Sequence, residues 1–183
     1  MKTDRAVAAA RYLRRIDTIP YRALQWAVAG FALLHNLEEG LTMPSFALLA
    51  RERLSGLVPP AVLAMTGHVS SFYGALVFAT IVPLLVVIVA GIWRNRATAW
   101  AVLLVQSVFL VNVFVPHVPA AVMLGGYAPG VVTAVVIQLP FSVCFVRRSV
   151  RERTVTRSGA LVTLIMAVPA LLLALAAFYW LAD

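Results

Sequence analysis

The chain has one cysteine, three histidines and seven acidic side chains in 183 residues. With Cys144 alone, neither an internal disulfide nor a thiolate metal cluster can form within one chain. Cys144 lies in an apolar run, where a small buried hydrophobe belongs. No G-x-S-x-G elbow, Walker loop or dinucleotide fingerprint is present, which excludes the common nucleophile and nucleotide-binding signatures. Alternating segments of about ten residues, the mark of a transmembrane barrel, are missing as well. No internal repeat is visible, so an inverted-repeat transporter gains no support.

What the chain has is apolar length. Hydrophobic residues make up 62% and charged residues 12%, and mean hydropathy is +0.94. Soluble domains sit near half apolar. Several runs here reach the roughly 20 residues that a helix needs to cross a hydrocarbon core. These features predict an all-α, polytopic transmembrane helical bundle, a single membrane domain over 1–183 with about five spans. The runs place the spans near 23–43, 68–93, 97–117, 127–146 and 159–181. Residues 44–67 connect the first two and have room for a short interfacial helix before the "VPP" break at 58–60.

The net charge of +8 could point to nucleic acid. Its distribution argues against that partner, because the arginines flank apolar runs and line no soluble face. Residues 1–22 hold six Lys/Arg but lead into no small-residue cleavage site, and read as a basic lead-in on the membrane surface. "RNR" at 94–96 and "RRSVRERTVTR" at 147–157 hold two and five more, while only Arg51 and Arg53 fall on the opposite side. This asymmetry predicts a cytoplasmic amino terminus in a membrane of the bacterial cytoplasmic type.

The scarce polar residues then fall at one depth. "FALLHNLEEGLTM" at 31–43 carries His35, Glu38 and Glu39. On a helix, residues three and four apart share a face, so His35 meets Glu38 on one side and Glu39 on the other, with Thr42 continuing the stripe. Glu38 lies roughly 24 Å beyond Arg22 along such a helix, toward the outer leaflet. His68, Asn112, His117, Tyr127 and Thr133 occupy the ends of other spans at that same level. An ionised acid at mid-membrane costs about 2.5–3.5 kcal/mol, which favours an interior cavity for the glutamates. The bland alternative is a pair of glutamates reaching out to the interface. Gln25, Gln106, Ser107 and Gln138 suit interhelical hydrogen bonds. Tyr73, Trp93, Trp100, Tyr179 and Trp180 suit an interfacial aromatic belt.

Two motifs carry a resemblance. "HNLEE" at 35–39 fits H-x-x-E-E, and "YAPGVVT" at 127–133 fits Y-x-P-G-x-x-T. In this order and in an apolar chain they resemble the HXXEE-domain bacterial integral membrane proteins, over roughly residues 25–146. That family also has an N-x-x-x-H pattern. "NVFVPH", Asn112 to His117, has four residues between, one more than the pattern. The resemblance implies a shared site of His35, Glu38, Glu39 and His117 and supplies no reaction. Within Y-x-P-G-x-x-T, Pro129 suits the first turn of a helix, Gly130 permits close approach, and Tyr127 and Thr133 can offer hydroxyls.

Three functions use this inventory. The first is an enzyme acting on a lipophilic small molecule by acid-base catalysis, an isomerisation or cyclisation of a terpenoid- or polyketide-like substrate. Its catalytic set is Glu38, Glu39, His35 and His117, with Asn112, Tyr127, Thr133 and His68 as substrate-binding residues. No cofactor is predicted for it. The second is a metal-dependent membrane enzyme in which His35, Glu38, Glu39 and His117 ligate zinc or iron. The third is a proton-coupled transporter or a lipid-binding membrane subunit, with the acids as a relay. Membrane lipids are partners in all three, and homo-oligomers are compatible with each.

Overall fold

The computed structural model describes residues 18–54, 56 and 69–182. His68, most of the basic lead-in and the 58–60 break lie outside the described residues. Five helices follow in order: α1 (Tyr21–Leu54), α2 (Val69–Ile92), α3 (Arg96–Met123), α4 (Val131–Arg151) and α5 (Arg157–Ala182). Among the described residues there is no strand. Helices α2 to α5 are each long and apolar enough to cross a membrane, as expected of a helical membrane protein. In α1 the polar residues of "HNLEE" lower the hydropathy, and two of them, His35 and Asn36, are buried in the bundle.

The helix α1 does not stop near residue 43. It runs 34 residues through Pro44, about 51 Å at 1.5 Å per residue. The expected connection from 44 is therefore helical as far as Leu54. A proline inside a helix leaves the carbonyl four residues back without its usual donor. That carbonyl is Gly40, and the Tyr73 hydroxyl of α2 donates to it at 2.8 Å. Asn36 likewise donates to Thr80 of α2 at 2.7 Å. Tyr73, expected in the aromatic belt, thus repairs the proline break. The Tyr73→Phe variant should lose about 1 kcal/mol of stability, measured as a lower melting temperature in detergent.

The turn at 93–95 is closed by Asn95, which caps α3 and exchanges hydrogen bonds with Thr98. Such a capping box satisfies two of the orphan donors at a helix start. Near this end the helices pack through Leu24, Val28, Val87, Val102, Leu103, Phe141 and Phe145, all buried. Phe31 meets Phe141 edge-on at 4.7 Å, and Tyr21 stacks on Phe145 at 5.5 Å. Lipid gives little hydrophobic drive between helices, so tight contact of this kind carries the association. Gly159 of α5 serves it too, since a Cβ there would sit 2.8 Å from the Trp100 ring of α3. Outward faces are apolar: Leu85, Ile92, Ile165 and Leu173 are all exposed, as lipid-facing residues are.

Next to the buried amides the helices deviate. Residues Val113–His117 of α3 and Ala134–Gln138 of α4 form π-helical turns, which commonly mark functional sites. Helix α3 therefore continues past Pro116 and His117 to Met123, where the sequence pattern ended the span. Beneath the two turns Gln106 donates to Gln138 and Ser142 at 3.3 and 2.6 Å, as interhelical glue.

Candidate functional site

The fold brings His35, Glu38 and Glu39 of α1, Asn112 and His117 of α3, and the 127–133 segment together. His35 and His117 are buried, with rings 4.7 Å apart and perpendicular. Phe109 lies edge-on to His35 at 6.2 Å. The Asn112 amide lies 2.8 Å from His117 Nε2 and 3.4 Å from His35 Nε2. On a regular helix, residues five apart point about 140° apart. The π turn absorbs the extra residue, so Asn112 and His117 meet despite the longer spacing.

The tautomers follow from the partners. His117 Nδ1 lies 2.8 Å from the Pro129 carbonyl, an acceptor only, so Nδ1 carries the proton. Thr133 Oγ1 donates its one proton to the Gly130 carbonyl at 3.2 Å and is left to accept from His35 Nδ1 at 2.9 Å. Both rings therefore turn an Nε2 lone pair toward Asn112 and Glu39. Glu39 Oε1 lies 3.5 Å from His117 Nε2 and 4.0 Å from His35 Nε2. One ligand atom from each of His35, Glu39 and His117 falls within 4.8 Å of the others, a group able to hold a metal ion.

The two glutamates differ. Glu38 accepts from the Tyr127 hydroxyl at 2.7 Å, from Val132 N at 3.2 Å and from Thr133 N at 2.7 Å. The last two are free N–H groups of the first turn of α4, where a negative charge is favourable. Glu39 has no such donors among the described residues, and its side chain is 16% exposed against 1% and 4% for the two histidines. It is the most exposed of these three side chains. Burial, with the Glu38 carboxylate against its hydroxyl, pushes the Tyr127 phenol above its ordinary range.

Every fixed position of Y-x-P-G-x-x-T has a contact here. Tyr127 holds Glu38, the Pro129 carbonyl fixes His117, and Thr133 fixes His35. Helix α4 starts at Val131, so Pro129 precedes the first turn it was expected to occupy. Gly130 has φ +75°, and a Cβ on it would meet Glu39, His117 and His35 carbons at 2.8 Å each. Sequence reasoning named Gly130 for close approach but could not say to what. It missed the carbonyl of Pro129, since a backbone acceptor leaves no mark in residue type.

These features define a helical membrane protein with a buried two-histidine, one-carboxylate cluster and a separately anchored second glutamate. The chain belongs to the family described as "Protein of unknown function with HXXEE motif", whose model matches residues 26–145. Comparison with curated proteins gives no match, and comparison with solved structures gives none.

Proposed function

We propose that the protein is a membrane-embedded enzyme that acts on a lipophilic small molecule at a metal centre formed by His35, Glu39 and His117. The observation that carries this reading is the convergence of two Nε2 lone pairs and one carboxylate, with each opposite Nδ1–H held by an oxygen acceptor. Metal-ligating histidines are oriented in this way. Two imidazoles and one carboxylate suit zinc, or iron(II) with open positions.

A bound metal supplies Lewis acidity toward a substrate oxygen. The chain's own residues do the rest. Glu38 is a positioning residue that clamps the start of α4 and with it Thr133. Asn112 donates near the reacting region. Tyr127, 42% exposed, stands at the rim with a protonated hydroxyl. The products consistent with this setting are those of isomerisation or cyclisation of a terpenoid- or polyketide-like substrate.

A second reading rests on Asn112. Its amide feeds both Nε2 atoms, which satisfies them without a metal and leaves Glu39 to carry a proton between His117 and substrate. Metal analysis separates the two. Wild-type protein purified in detergent without chelator should hold about one zinc or iron per chain under the metal reading. Metal-free protein would overturn it and leave the proton-transfer reading. Lipophilic extracts of cells expressing wild type or Glu39→Gln test both readings together: identical profiles would overturn the enzyme.

A further inference from the structure

The other end of the bundle holds a second polar feature, independent of the His/Glu cluster. A cavity of about 450 Å³ opens there between the start of α1, the α2–α3 turn and the α4–α5 turn. Arg22, Arg94, Arg96 and Arg153 line it together with Gln25 and Thr98. Among the described residues no carboxylate lines it. Glu152, the nearest acid along the chain, is engaged by Arg148 at 2.8 Å.

Two features run against local preference. Arg96 is the first residue of α3, where the helix dipole disfavours a cation. Arg153 is the one described non-glycine residue with positive φ, at 57°. It follows the end of α4, where Thr154 N reaches back to the Ser149 carbonyl and Arg153 N to Val150. Such a helix end favours glycine, because a Cβ is strained in the left-handed region. Arg153 lines the cavity in this strained conformation. Guanidinium forks bind phosphate oxygens in pairs. Trp93, exposed beside Arg94, sets the level of lipid headgroups.

We infer that this arginine-lined cavity binds a phosphate-bearing anion. Such a group reaches it either on an anionic lipid or as a free phosphate compound. The full-length protein is melted in uncharged detergent at constant ionic strength, with phosphatidylglycerol or phosphatidylcholine in the micelles, or with sodium pyrophosphate or sodium chloride added. A rise of several degrees is expected with phosphatidylglycerol or pyrophosphate and not with phosphatidylcholine or chloride. A response to phosphatidylglycerol alone assigns the lipid headgroup, and a response to pyrophosphate alone assigns a free phosphate compound. A response to both assigns the phosphate group itself as what is recognised.

The doubly substituted Arg94→Ala/Arg96→Ala protein should lose at least half of that rise. Arg153→Gly separates binding from folding: relief of the strained backbone should raise the ligand-free melting temperature while the ligand-induced rise shrinks. No rise with either phosphate compound, an equal rise with chloride or phosphatidylcholine, or a full rise in both variants would overturn the inference.

Discussion

Gly130→Ala is expected to be the most damaging small substitution in the chain. Its methyl group would stand 2.8 Å from carbons of Glu39, His117 and His35 at once. Two of these three are buried imidazoles fixed at both nitrogens, so they cannot turn aside without losing a hydrogen bond. The backbone adds its own penalty, since φ +75° is strained for any L side chain. The left-handed conformation costs about 1–2 kcal/mol, and overpacking a filled site costs about 1–3 kcal/mol. A loss of about 2–5 kcal/mol follows, read as a melting temperature many degrees below wild type. A Gly130→Ala protein that melted with the wild type would show that the three side chains do not close over this residue.

The second large effect divides two neighbouring glutamates. Glu39→Gln keeps the shape of the side chain and removes the anionic ligand of the metal centre proposed above. Metal retention should fall by at least about 100-fold, more than loss of an outer partner brings, while the fold survives. Glu38→Gln should do the reverse. Its carboxylate accepts three donors, and an amide replaces one acceptor oxygen with a donor facing N–H groups. Hydrogen bonds to a charged group contribute about 1.5–3 kcal/mol, so stability should drop while metal retention falls far less than in Glu39→Gln. Metal content and melting temperature measured on both variants give a crossed pattern. The same response from both, in either quantity, would remove the division of labour.

Much of this was legible in the residues. Apolar length gave a helical membrane protein, and H-x-x-E-E with Y-x-P-G-x-x-T gave the family. Residue type and spacing mark His35, Glu38, Glu39, His117, Asn112, Tyr127 and Thr133 as site candidates. Three things were hidden, each for a physical reason. Hydropathy marks where a helix leaves lipid and not where it ends, so the run of α1 through Pro44 to Leu54 was invisible. Which glutamate faces the imidazoles depends on helix rotation, and both lie beside His35 at that spacing. Backbone groups such as the Pro129 carbonyl and the first N–H groups of α4 carry half of the site's hydrogen bonds and have no letter in a sequence. His68 lies outside the described residues, and its expected role stays a proposal.

The π turn at Val113–His117 has one more consequence. Four apart on a regular helix and five apart across a widened turn are two spellings of one geometry: each delivers an amide and an imidazole to the same wall. Removing a single residue between Asn112 and Pro116 would restore N-x-x-x-H and let the helix wind regularly, with both side chains still facing inward. A deletion inside a transmembrane segment ordinarily throws everything beyond it out of register. Here the bundle already stores the slack to absorb one.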